Sequence, residues 1–189
     1  MFNRVGIVTL CALVVVTLAS CGGQADANTG KVKVTLQDAP FGAEKVEVTI
    51  SEVAVHFVPK GKDATAGDDE AASTDADPAK AGWRSVLSEE RTFDLLKLKD
   101  NPTSLGELDL GEGKITQIRL YLSETKAPTI TVGGTTTEMK VPSGKVKLVG
   151  KFDVTPGSET PINLDFDVEA SLKQTGDKFT LRPTIKLVK

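Results

Sequence analysis

The chain has 189 residues, of which 26% are charged and 5% aromatic, with a formal net charge of −3. That is the length of one ordinary domain with room for a real core. A mildly acidic chain without a basic cluster argues against nucleic-acid binding and against attraction to anionic headgroups. Two cysteines, Cys11 and Cys21, and one histidine, His56, leave few donors for a disulfide, a zinc site or a catalytic triad.

The first element is a leader. A single cation, Arg4, precedes the uncharged, mostly apolar run Val5 to Leu18, which is 14 residues long. A spanning helix needs roughly 20, so residues 1–20 read as a removed signal peptide. The quartet Leu18-Ala19-Ser20-Cys21 resembles a bacterial lipobox. That resemblance implies cleavage between Ser20 and Cys21, thioether lipidation and palmitate-type acylation of Cys21, and a membrane lipid anchor at the cell envelope. Gly22 rather than an aspartate follows the cysteine, so in a Gram-negative source the expected address is the outer membrane. The competing reading is a free or disulfide-bonded Cys21. It lacks an internal partner, because Cys11 leaves with the leader. Cleavage removes one arginine and no acid, so the remaining 169 residues carry −4. Residues 21–30 are then the lipidated cysteine and a flexible tether, GGQADANTG. Its nine residues reach at most ~30 Å, and about 16 Å as a coil.

From Lys31 the apolar period is two. Val32, Val34 and Leu36 share one face of the first strand. In Lys45–Val58 the apolar set changes parity, from Val46, Val48 and Ile50 to Val53, Val55 and Phe57, which predicts a bulge near Ser51-Glu52. Residues 59–82 contain no Val, Ile, Leu, Met or aromatic side chain and are expected to form a disordered loop. Its acids match no EF-hand spacing. Trp83–Leu87 and Arg91–Leu98 read as short strands. Leu105–Leu110 and Ile115–Leu122 read as a hairpin about Gly111-Glu112-Gly113, and Thr129–Val132 and Thr135–Lys140 as a hairpin about Gly133-Gly134. Lys145–Val154 alternates, with Val146, Leu148, Phe152 and Val154 inward. Two long closing strands carry the apolar rows Ile162 to Leu172 and Phe179 to Leu187. About ten strands and no convincing helix predict an all-β domain over 31–189, an antiparallel β-sandwich of immunoglobulin-like or prealbumin-like type, with the disordered insertion at 59–82. A barrel is the alternative.

Several segments carry a further resemblance. Thr35-Leu36-Gln37-Asp38-Ala39-Pro40, Thr49-Ile50-Ser51-Glu52-Val53, Phe93-Asp94-Leu95-Leu96, Ile115 to Leu120, Val141-Pro142-Ser143-Gly144, Leu164-Asp165-Phe166-Asp167 and Leu181 to Ile185 occur in one order. Together they resemble a bacterial and archaeal lipoprotein family, the domain of unknown function 4382. The resemblance implies a β-sandwich on a lipid anchor and brings no activity, substrate or catalytic residue.

No G-x-S-x-G elbow, H-E-x-x-H or P-loop occurs, so no catalytic residue and no cofactor are assigned. His56 is read as structural. Trp83 is read as core, with a carbohydrate-stacking platform as the sharper alternative. No metal site is assigned. Asp38 before Ala39-Pro40 is read as a turn carboxylate rather than a cation ligand. Asp165, Asp167 and Glu169 alternate on one strand face and could hold calcium. If Leu172 pairs with Phe179, however, Glu169 faces Arg182, Asp167 faces Thr184 and Asp165 faces Lys186, and an ion-paired sheet surface is the preferred reading. The expected function is a lipid-anchored envelope protein acting as a non-catalytic binding or structural module, with a protein or glycan partner and no nucleic acid. The alternatives are an accessory subunit of an envelope complex and, last, a carbohydrate-active hydrolase.

Overall fold

The computed structural model describes residues 28–38, 42–63, 71–74, 77–99 and 101–188. The leader, the Ser20–Cys21 cleavage site and most of the tether lie outside the described residues, as do the Asp38 side chain and Ala39-Pro40. Among the described residues there are thirteen strands, β1 (Gly30–Asp38), β2 (Lys45–Pro59), β3 (Gly82–Leu87), β4 (Arg91–Asp94), β5 (Thr103–Leu110), β6 (Gly113–Leu122), β7 (Thr129–Val132), β8 (Thr135–Glu138), β9 (Lys145–Val154), β10 (Glu159–Phe166), β11 (Leu172–Thr175), β12 (Lys178–Leu181) and β13 (Ile185–Val188). Two helical turns interrupt them, a 3-10 turn at Leu95–Leu98 and α1 (Val168–Ser171). No helix among them is long and apolar enough to cross a membrane.

The strands form a four-stranded sheet, β13-β10-β1-β5, and a seven-stranded sheet, β8-β7-β2-β6-β9, with β3 and β4 also on β2. The two sheets enclose one core, so the expected all-β sandwich is the fold. β11 and β12 pair separately. One ladder departs from the antiparallel expectation, since β1 and β10 run parallel from Lys31↔Glu159 to Asp38↔Phe166.

β2 is the spine of the larger sheet. It pairs β7 and then β6 along one edge, and β4 and then β3 along the other. Its ladder with β6 shifts register between Ile50 and Glu52, at the inferred bulge. The shift lets Val46, Val48, Ile50, Val53, Val55 and Phe57 all reach 0% exposure despite their change of parity. Burying each contributes about 1.5–3 kcal/mol relative to leaving it exposed.

Three local expectations are corrected. β5 and β6 form no hairpin: β5 pairs β1, whereas β6 pairs β2 and β9, so Gly111-Glu112-Gly113 crosses between sheets. The crossing lets Leu105 and Leu110 face Ile115 and Ile118 across the core, where all four are buried. The strand from Arg91 stops at Asp94, and Leu95–Leu98 is a 3-10 turn burying Leu95 and Leu98. A strand cannot turn the adjacent Leu95 and Leu96 the same way, whereas a three-residue period aims Leu95 and Leu98 together. The long closing strand is broken by α1, which leaves Ala170 exposed. The hairpin at Gly133-Gly134 forms as expected, with φ of 56° and 74° suiting a type I′ turn.

The segment 59–82, expected as a disordered loop, is tied to the sheet at its described positions. Ser73 N–H donates to Trp83 O at 2.8 Å, and Ser85 N–H to Ser73 O at 3.0 Å. The buried Arg84 guanidinium donates to the carbonyls of Asp77 and Lys80, and Gly111 N–H donates to Pro78 O at 2.8 Å.

Candidate functional site

The outer face of the larger sheet gathers the chain's sole tryptophan, its sole histidine and several cations. Cross-strand register does the gathering. His56 pairs with Trp83 on one side and with Gln117 on the other; Ala54 pairs with Arg119, and Glu52 with Tyr121. β9 then places Val149 beside Gln117, Lys147 beside Arg119 and Lys145 beside Tyr121.

At the centre is Arg119, only 3% exposed. Its guanidinium carbon lies 4.2 Å from the Trp83 ring centroid and 5.6 Å from that of Tyr121. Its Nη2 is 3.5 Å from Glu52 Oε1. The Lys145 ammonium is 5.6 Å from the same tyrosine ring. Such cation–aromatic contacts contribute about 0.5–2 kcal/mol, more when desolvated. His56 meets Trp83 edge-on at 5.2 Å and 66°. Its Nδ1 is 2.9 Å from Thr116 Oγ1. Thr116 is the extra residue where the β2–β6 register shifts between His56 and Phe57, so a bulge aims its hydroxyl at the histidine. Trp83 is 2% exposed, which rules out an open stacking platform, but it is buried on the outer sheet face against Arg119 and His56 rather than in the core cluster between the sheets.

Register on β6 and β9 brings Lys114, Arg119, Lys145, Lys147 and Lys151 to the same face with Asp153, and Glu52 of β2 lies beside Arg119. The cations are scattered in sequence and meet only through register. The outer face of the smaller sheet is mixed, with Lys31 on Glu107 at 3.3 Å as one of its ion pairs.

Two clefts border this face. One, of about 740 Å³, lies where β6 ends and β9 begins, and is lined in part by Tyr121, Ser123, Thr125, Glu138, Met139 and Lys145. Its wall is pinned by Glu90, which accepts from Ser123 Oγ at 2.6 Å and Thr125 Oγ1 at 3.3 Å. The Ser123 hydroxyl, then the nearby Lys126 charge, hold the Glu90 carboxyl below the usual carboxylate range. The other cleft, of about 510 Å³, lies at the opposite end of β9 beside Lys60, Lys114 and Asp153.

The acidic candidates are structural where they are described. Asp165 stands opposite Lys186, as inferred. Asp167 accepts from Lys186 Nζ at 2.7 Å and from Ala170 N–H at 2.9 Å, capping α1. The Glu169–Arg182 pairing is not made, because Leu172 pairs with Leu181 rather than Phe179. α1 takes up the two-residue difference: Glu169 sits on it, and Arg182 N–H donates to Ser171 O. Among the described residues no group of three or more His, Cys, Asp or Glu side chains is placed to hold a metal ion. Asp38 pairs Phe166 through its backbone.

Residues 29–183 match the family described as Domain of unknown function (DUF4382). No curated protein and no solved structure matches the chain.

Proposed function

This chain belongs to the family of domain of unknown function 4382, and from that premise we propose that it is a lipid-anchored, non-catalytic module of the cell envelope whose contact surface is the outer face of its larger sheet. The observation that carries the reading is that β6 and β9 bring Tyr121, Lys145 and Lys147 together on one sheet face beside a cleft of about 740 Å³. A cleft bordered by aromatic and charged side chains suits recognition of a partner. The anchor rests on the Leu18-Ala19-Ser20-Cys21 quartet. Large hydrophobics exposed among the described residues are few, Val132, Val149 and Val188, one on each of three strands. That favours a charged contact over the apolar docking an obligate complex subunit would need.

Fractionation of intact cells with detergent phase partitioning tests the anchor. The wild-type protein is expected in the detergent phase, and Cys21→Ala in the aqueous phase or unprocessed. A wild-type protein in the aqueous phase overturns it. Cross-linking in intact cells, comparing wild type with Lys145→Glu/Lys147→Glu, tests the surface. Loss of the cross-linked species in the variant is expected, and an unchanged pattern overturns the assignment of this face.

A further inference from the structure

We infer that the cleft where β2 and β9 finish and β6 begins receives the zwitterionic headgroup of a membrane phospholipid, its phosphate between Lys62 and Lys114 and its ammonium at Asp153. This deepens the anchored reading above and rests on it.

The charges in this cleft of about 510 Å³ sort into one closed pair and three open groups. Lys60 Nζ reaches Glu112 Oε1 at 2.7 Å, and Lys60 N–H donates to Glu112 O at 2.9 Å. Both bonds tie the end of β2 to the turn before β6. Lys62 N–H then donates to Pro59 O at 3.2 Å, with Gly61 at a φ of 77°, so the chain doubles back and keeps Lys62 on the cleft wall. Lys114 and Asp153 stand directly opposite one another on β6 and β9, and both line the cleft. Among the described residues, neither of these two nor Lys62 makes an ion pair. A simple anion placed here would meet Asp153 as well as the lysines, and a simple cation would meet the lysines. A headgroup that carries both signs satisfies all three groups. Such charge-assisted hydrogen bonds are roughly twice as strong as neutral ones. The volume falls within the roughly 300–1,000 Å³ usual for small-ligand sites.

The path of the chain puts this cleft, and not the larger one, beside the anchor. β1 begins at the same end of the sandwich. Gly157 N–H, in the turn that follows β9, donates to Thr29 O at 2.8 Å, and a Cβ on Gly30 would collide with Thr155 O. Thr155 itself lines the cleft. Eight Cα steps join Thr29 to Cys21 and span at most ~29 Å. The larger cleft lies at the opposite end of β9, about 30 Å farther along the strand. Headgroups of the anchoring bilayer therefore reach the nearer cleft at the high effective concentration of a linked second site. A contact too weak to hold the domain by itself then fixes which end meets the membrane, and the larger cleft is turned away from it.

The first test uses the chain from residue 21 onward with Cys21→Ala and the soluble probe glycerophosphoethanolamine, followed by amide shifts in two-dimensional NMR. Saturable shifts are expected at Gly61, Lys62, Lys114 and Thr155. Glycerophosphocholine, whose quaternary ammonium has no N–H to donate to Asp153, should bind about five-fold more weakly, the equivalent of one hydrogen bond. Asp153→Ala should erase that preference, and Lys62→Ala/Lys114→Ala should abolish binding of both probes while leaving the rest of the spectrum in place. Equal binding of the two probes by the wild-type chain, or shifts centred on Tyr121 and Met139 instead, overturns the inference. The second test identifies the source of the headgroup. Cys21 is the sole cysteine from residue 21 onward, and coupling it to a maleimide lipid supplies the anchor chemically. Failure of the lipidation reading is then scored separately, by phase partitioning from cells. On vesicles of mixed phosphatidylcholine and phosphatidylethanolamine, amide exchange at residues 60–62 and 113–115 is expected to be slower than on phosphatidylcholine alone. Unchanged exchange overturns membrane docking and assigns the cleft to a soluble phosphoamine.

Discussion

Arg119 and Lys147 stand directly opposite one another across β6 and β9, two like charges on one sheet face. Arg119 is steadied by the Trp83 ring and by Glu52, whereas its cross-strand neighbour adds repulsion. Directly opposed like charges destabilise a ladder by up to about 1 kcal/mol. Arg119→Ala is nonetheless expected to lower the melting midpoint by several degrees, because the lost Trp83 and Glu52 contacts outweigh relief of this repulsion. Thermal unfolding followed by circular dichroism checks this. A raised midpoint would show that the repulsion dominates.

Asp167 gives a pH dependence. Its hydrogen bond from Lys186, and then the one from Ala170 N–H, hold its carboxyl below the ordinary value, and Asp167 in turn raises Lys186. The folded state thus favours the carboxylate. Its contribution is present above the unfolded value of about 3.9 and is lost as pH falls through that value and then the lower folded one. Asp167→Asn keeps a capping side chain but loses the ion pair. Its midpoint should lie below that of wild type at pH 7, and the two should converge as pH falls below the folded value of Asp167. A gap that persists in acid would assign the loss to packing.

Gly106 tests the closure of the sandwich. A Cβ built on it would lie 2.3 Å from the Val86 carbonyl oxygen, where β5 of one sheet meets β3 of the other. Backbone cannot retreat as a flexible side chain can. Gly106→Ala should cost about 1–3 kcal/mol, a fall of several degrees. Gly42→Ala, with nothing within 4 Å of the new methyl, is the control and should leave the midpoint unchanged.

Arg84 is expected to fasten the segment that leads into β3. Its guanidinium, on a residue only 3% exposed, holds the carbonyls of Asp77 and Lys80. Arg84→Ala should cost about 1–3 kcal/mol and speed limited proteolysis between residues 74 and 82. Unchanged nicking would leave the Ser73 and Pro78 backbone bonds as the sufficient fastening.

The site was harder to read from sequence than the fold. His56 and Trp83 stood out as sole members of their kinds, and both are buried, Trp83 on the outer sheet face rather than in the core cluster it was assigned to. Their contact with one another and with Arg119 carried no sequence signal, because it joins three strands that are distant along the chain. The lysines of β9 were legible as outward-facing. That Arg119 and Lys114 would lie beside them was not. The register across the final hairpin was right at Asp165↔Lys186 and wrong at Leu172, because a capped turn at Asp167 absorbs two residues that simple alternation does not foresee.

By itself the sequence determined what each segment buries. Period-two patterning set the faces of the strands, the parity change at Ser51-Glu52 set the bulge, and paired glycines set the β7–β8 turn. These are local choices, each written in a few consecutive side chains. Only the tertiary structure decided which strands became neighbours: the parallel β1–β10 ladder, the crossing at Gly111-Glu112-Gly113 and the meeting of β6 with β9. The reason is that ladders are made by backbone N–H and C=O groups, which every strand offers alike. The choice among partners falls to how all the buried faces close around one core. The grouping of side chains on the outer face of the larger sheet is a product of that closure.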